Sequence, residues 1–279
     1  MPLVPVAGAL RERALAKLLP QNGLLAALPD DVHERLLPDL ALADLPAGHQ
    51  LGQQDGGFAR AYFPLAGVVS LIQSAPGGGE RIAALVGHEG VVGLPRFMSD
   101  AAVTRIVVQC AGYGLALGRE PLMQEWDRGG SFMRALSRYG RAAAAQKVAL
   151  DACRRHHSLD QQLAGMLILA LQRLPGQELV LPQESAARLL GVTGYQLAAV
   201  VERLREAGAA AWRGEGTLAA HDQVALGRCA CACHARIAGE YERLLSPALA
   251  PSPGPVPLAS LARQPMLAPT TGEHLQRGS

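Results

Sequence analysis

Aromatic residues are scarce, at 4% of the 279 residues, which argues against a row of stacking platforms for single-stranded nucleic acid. Lysine is almost missing: only Lys17 and Lys147 stand among 26 cationic residues, a compositional bias that carries no functional weight. Long hydrophobic runs are absent too, and a stretch such as Met166–Leu171 falls far short of the roughly 20 residues of a membrane span. The start shows no basic-then-apolar leader, because Pro2 and Pro5 interrupt it and charge enters by Arg11. The expectation is a soluble, cytoplasmic chain with no membrane partner. The five cysteines are odd in number and scattered, which is no disulfide framework. A net charge of +2 is too small to imply nucleic-acid binding by itself.

What is present falls into segments. Residues 1–22 carry a short helical pattern ending in Pro20-Gln21-Asn22-Gly23 and read as an N-terminal extension of doubtful order. From Leu24 to Leu45 the apolar spacing is roughly helical, with Pro29-Asp30-Asp31 as a start signal. Glycines then punctuate short apolar runs at Ala61–Phe63, Val68–Ser74, Arg81–Val86, Ile106–Cys110 and Tyr113–Leu117. Many short strands between turn signals predict an antiparallel roll or jelly roll over 23–130, with a hairpin loop at Ala75–Glu80. Past Gly130 the period turns helical. Residues 131–157 hold no proline and predict one helix of about 27 residues, roughly 40 Å long, whose Ala142–Ala145 run permits a partner helix to approach. Ser158 and Gln161 fit a capping box that opens the next helix. The tail, 246–279, is proline-rich and reads as disordered.

The most informative stretch is Leu181–Ala210. Pro182 suits a first helical position, Ala186, Leu189 and Leu190 share one face, and Gly191 ends the helix where a tight turn wants glycine. Thr193 caps a second helix with Gln196 three residues on, and Leu197, Val200, Val201 and Leu204 form its buried stripe. Two short helices joined by a glycine turn are the signature of a DNA-binding helix-turn-helix. Ala209–Trp212 and Thr217–Ala220 then read as a small hairpin, a wing, before a last helix from His221-Asp222 to Leu245.

A glycine-punctuated roll, a long helix and a winged helix-turn-helix, in that order, resemble the Crp/Fnr superfamily of bacterial transcription regulators. The likeness covers about residues 24–245 and rests in the roll on Tyr62–Leu71 and on Gly87-His88-Glu89-Gly90-Val91-Val92-Gly93-Leu94. The resemblance implies an α+β fold: a jelly-roll-like sensor over 23–130, a dimerisation helix over 131–157 and a winged helix-turn-helix domain over 158–245. The resemblance implies a homodimer binding double-stranded DNA at a pseudo-palindromic site, a small-molecule effector of unknown identity, and RNA polymerase as a further partner. No enzymatic activity and no cofactor are expected.

The sequence also departs from the family. Members that bind cyclic nucleotides carry a Gly-Glu pair and a later arginine for the phosphate. Here Gly93 precedes Leu94, and Thr104 stands at the arginine place with Arg105 one position off, so Gly93, Thr104 and Arg105 form at most a degraded ligand site and cAMP is not expected to bind. The DNA-contacting set is Thr193, Tyr195 and Gln196 at the start of the recognition helix, with Arg188, Arg203 and Arg213 for phosphates. Gly194 and Ala199 can make no base-edge hydrogen bond, which leaves Gln196, suited to adenine, as the reader. Between residues 176 and 228 five arginines face six carboxylates, a net charge of −1 that is poor for neutralising phosphate. Two readings stay open: a weak or partner-assisted DNA binder, and a dimeric signalling or scaffold protein whose helix-turn-helix no longer reads DNA.

Cys229, Cys231 and Cys233, followed by His234, lie on what reads as one helix. Cys229 and Cys233 would share a face and Cys231 would not, so the cysteines read as small packing residues and no metal site is assigned; a site completed by His221 or His234, and thiols that sense redox, are the alternatives. His156 and His157 follow Cys153-Arg154-Arg155 near the end of the long helix, where cations suit the helix dipole. No catalytic constellation or phosphate loop is found.

Overall fold

The computed structural model describes residues 4–51, 53–54, 57–75, 79–94, 103–174, 179–214, 216–220 and 222–245. The proline-rich tail and the middle of the Ala75–Glu80 loop lie outside them. In chain order come α1 (Val4–Ala16), α2 (Gly23–Ala26), α3 (Asp30–Leu36), β1 (Leu40–Leu45), the two-residue strands β2 (Gln53–Gln54) and β3 (Gly57–Phe58), β4 (Arg60–Ala75), β5 (Gly79–Val86), β6 (Val103–Gly118), α4 (Arg119–Asp127) and the long α5 (Gly130–His156). The C-terminal part holds α6 (Leu159–Leu171), β7 (Leu179–Pro182), α7 (Gln183–Leu190), α8 (Gly194–Glu206), β8 (Ala211–Trp212), β9 (Thr217–Ala220), α9 (Gln223–Cys229) and α10 (Cys233–Leu245). No helix among the described residues is long and apolar enough to cross a membrane.

Residues 15–22 are not a loose extension. Leu15, Leu18 and Leu19 enter the core, and Asn22 is fully buried. The Asn22 carboxamide donates to the Pro64 carbonyl at 2.9 Å and the Gly90 carbonyl at 2.8 Å. Its oxygen accepts from the Leu24 and Leu25 N–H groups, both at 3.1 Å, and so caps α2. The helical reading of Leu24–Leu45 also stops early. Pro38 lies in a 3-10 turn at Leu37–Asp39, and Leu40–Leu45 pairs with β6 instead.

The sheet runs β1-β6-β4-β5, antiparallel throughout. The runs expected as separate strands at 61–63 and 68–74 are one strand, β4, and those at 106–110 and 113–117 are one strand, β6. Register shifts between Pro64 and Val69 bend the pair without ending it, which is how a bulged ladder curls into a roll. Helix α4, which sequence reading missed, is held by a bidentate bond from Arg35 on α3 to the buried Glu125, at 2.6 and 2.9 Å.

Among the described residues strand β5 is a sheet edge, and α5 lies along it. The Gln146 side chain donates to the Leu85 carbonyl at 3.2 Å, and Arg154 donates to the Ile82 carbonyl. The Gly87–Val91 turn beyond β5 meets α5 as well. Tyr139 donates to the Val91 carbonyl at 2.9 Å. A Cβ on Gly90 would stand 2.3 Å from the Tyr139 ring, and one on Gly87 would stand 2.6 Å from the Arg173 Cβ. Only glycine admits this approach, which gives the Gly87-His88-Glu89-Gly90 block its physical reason.

Between those glycines, Glu89 accepts from Arg173, just beyond α6, at 2.7 Å, with both residues buried. The guanidinium lies 5.7 Å from the ring centre of Tyr241 on α10, and the Tyr241 hydroxyl donates to Gln146 at 2.8 Å. One buried polar chain therefore joins the roll, the long helix and the C-terminal helices. Burial pushes both the Tyr139 and Tyr241 hydroxyls above their ordinary range, so they act as hydrogen-bond donors.

In the C-terminal part a three-stranded sheet, β7-β9-β8, replaces the expected two-stranded wing. Pro182 closes β7 and caps α7 from an extended conformation, where sequence reading placed it inside the helix. The last helix is also broken. Ala230 is extended, with φ −81° and ψ 155°, and α9 and α10 are separate.

Candidate nucleic-acid interface

Helix α7 buries Ala186, Leu189 and Leu190 and ends at Gly191, whose φ of 70° is the left-handed conformation that glycine adopts without strain. Thr193 then caps α8. Its hydroxyl accepts from the Gln196 N–H at 3.3 Å, while the Gln196 side-chain oxygen accepts from the Thr193 N–H and hydroxyl, both at 3.1 Å. Leu197, Val200, Val201 and Leu204 are buried, as their spacing predicts. That leaves Tyr195, Gln196, Ala198, Ala199, Glu202 and Arg203 exposed, with Tyr195 at 87% exposure. The leading turn of α8 is open to a partner.

The cap has a consequence for reading. A bidentate contact to adenine needs both ends of the Gln196 carboxamide, and its oxygen is spent on Thr193. Reading a base through Gln196 thus requires opening the capping box, at a cost of about 1 kcal/mol. By the same measure Thr193→Ala is expected to destabilise the C-terminal part by about 1 kcal/mol, read as a fall in the urea midpoint.

The arginines expected at phosphates sit in different surroundings. Arg203 is bound to Asp160 on α6 through Nε at 2.9 Å and Nη2 at 2.6 Å. Arg205 pairs with Glu202, and that hydrogen bond holds the Glu202 carboxyl below its usual range. Arg188 is half-buried on α7, and Arg213 is exposed on the β8–β9 hairpin. The structure thus brings Thr193, Tyr195 and Gln196 together on one turn and neutralises Arg203 within the chain. Gln183, which sequence reading passed over, stands at the same place: a Cβ on Gly194 would meet its Nε2 at 2.9 Å.

Of the suspected ligand residues, Gly93 and Arg105 do not share a site. A cavity of about 720 Å³ lies between the sheet and α5, with Gly93, Leu94, Trp126, Arg141, Lys147 and Val148 in its lining. Gly93 is there, but Arg105 lies outside the lining and pairs with Glu80 at 3.0 Å. Thr104 belongs to β6, and its side chain lies outside the described residues.

The sequence matches no family model and no curated protein. Solved structures do match. FixK2 from Bradyrhizobium japonicum superposes with a TM-score of 0.53 at 12% identity, over 69% of this chain and 98% of that one. The global regulator CLP of Xanthomonas campestris, described as responsive to c-di-GMP, gives 0.53 at 17% identity over 70% and 100%. A protein of Eubacterium rectale assigned to the Crp/Fnr family of transcriptional regulators gives 0.52 at 14% identity over 75% and 98%. At such identities the likeness is one of fold, and the roll, long helix and winged helix-turn-helix described above are the fold of the Crp/Fnr transcription regulators.

Proposed function

We propose that the chain is a DNA-binding transcription regulator that acts as a homodimer on a pseudo-palindromic site. The observation that carries this reading is the solvent-open first turn of α8, set behind the Gly191 turn and followed by the β8–β9 hairpin. Dimerisation falls to α5, whose Ser137, Arg141, Ala144 and Val148 recur every three or four residues and are exposed, Val148 at 69%. Two reading heads so joined would contact half-sites about 34–36 Å apart. The 720 Å³ cavity beside α5 is the place for an effector, and its apolar lining beside Arg141 and Lys147 favours an amphipathic anion over a cyclic nucleotide gripped through a Gly-Glu pair.

The specific observation for the scaffold reading is the pairing of Arg203 with Asp160 and of Arg205 with Glu202. Exposed pairs of this kind hold by about 1 kcal/mol or less, so phosphate can compete for them. Selection from random duplex DNA separates the two readings. Recovery of a two-fold symmetric site is the expected result, with affinity that falls as salt rises. Arg213→Ala is expected to weaken binding to all sequences alike and to lower the salt slope by about 1. No enrichment over random duplex would leave the scaffold reading standing.

A further inference from the structure

The end of α5 meets the break between α9 and α10 at a cluster that DNA binding does not use. Cys153 sits in the last turn of α5, and His157, which ends that helix in an extended conformation, donates its N–H to the Cys153 carbonyl at 3.0 Å. Cys231 lies in the break, and Cys233 opens α10. One ligand atom from each of these four residues lies within 4.8 Å of every other. Cys153 Sγ and Cys231 Sγ are 3.5 Å apart, and Cys233 Sγ and His157 Nδ1 are 3.7 Å apart. Zinc–sulfur bonds of about 2.3 Å and zinc–nitrogen bonds of about 2.0–2.1 Å place tetrahedral ligands roughly 3.5–3.8 Å from one another.

We propose that Cys153, His157, Cys231 and Cys233 form a closed, tetrahedral site for a zinc-type cation. Three sulfurs and an imidazole are the soft donor set that such an ion takes, and four protein ligands leave no position for substrate. Ligand backbone is held from outside the cluster: Gln162 donates to the His157 carbonyl at 2.8 Å, and a His234 ring nitrogen lies 2.7 Å from the Cys231 carbonyl. As each sulfur–metal bond forms, its thiol proton passes to solvent, and the centre with three thiolates carries one net negative charge. Arg154 lines the same small cavity, and Arg236 acts electrostatically on Cys233, so cations face that charge. The ion would fasten the end of the long helix to the last helix of the winged domain.

The test is titration of the reduced, metal-stripped full chain with cobalt and then zinc. One cobalt per chain is expected, with thiolate-to-cobalt charge transfer and the intense ligand-field bands of a tetrahedral centre, all bleached by zinc. Cys231→Ser and His157→Ala should each weaken cobalt by more than the roughly 10–100-fold that loss of an outer partner costs. Cys110→Ser and Cys229→Ser, outside the cluster, should leave the bands unchanged. Zinc should protect Cys153, Cys231 and Cys233 of the native sequence from alkylation, a readout that needs no variant to fold. Absence of the tetrahedral bands, their survival in Cys153→Ser, or air oxidation to a Cys153–Cys231 disulfide without metal uptake would overturn the proposal.

Discussion

Arg173→Ala is expected to destabilise the chain by about 3–5 kcal/mol, the cost of stranding a buried charge. Glu89 and Arg173 are each only 6% exposed, and Arg173 Nε approaches Glu89 Oε1 at 2.7 Å. The arginine also donates to the Leu169 carbonyl at 2.6 Å and stacks beside Tyr241. Its removal leaves the Glu89 carboxylate with the Gly87 N–H, at 3.2 Å, and no cation. Urea unfolding measures the loss, and a shift below 1 kcal/mol would show that water reaches Glu89. Glu89→Gln combined with Arg173→Met removes both charges and is expected to recover most of the stability, because the desolvation cost leaves with the pair.

Asn22→Ala is expected to cost about 3 kcal/mol or more. Four hydrogen bonds end on this side chain, and a buried donor or acceptor left without a partner costs about 1–3 kcal/mol. Asn22→Asp separates the two halves of the role. It keeps an acceptor for the Leu24 and Leu25 N–H groups but turns a second oxygen toward the Pro64 and Gly90 carbonyls. It should therefore be at least as damaging as alanine, and faster proteolysis within residues 4–21 should accompany either change. An aspartate that restored stability would show that capping α2 is the whole of the role.

These two residues also show where sequence reading reaches its limit. The helix-turn-helix was legible because its signals are local: Gly191 sets the turn, and Thr193 caps through Gln196 three residues away. The Ser158–Gln161 capping box and the long α5 were legible for the same reason. Asn22 finds partners 42 and 68 residues away, and Glu89 meets Arg173 84 residues away. Neither pairing has a periodicity. Strand β7 was missed because Pro182 suits a helix start as well as a strand end. At the candidate interface the exposed residues were legible from helical spacing, whereas the partner of Arg203, Asp160, sits 43 residues upstream on another helix. Cys229–Cys233 contains no glycine or proline, so the sequence by itself predicts one helix there. The break that turns Cys231 toward Cys153 is imposed by packing across 78 residues of chain.

The side chains of Gln146 and Arg154 on the outer carbonyls of β5 carry one more consequence. That strand reads Ile82-Ala83-Ala84-Leu85-Val86, and its free rim would be a template for another molecule's strand if α5 lifted away. Damage to the last turns of α5 would therefore surface first as precipitation and low yield, with monomers stitched rim to rim while the roll itself stayed folded.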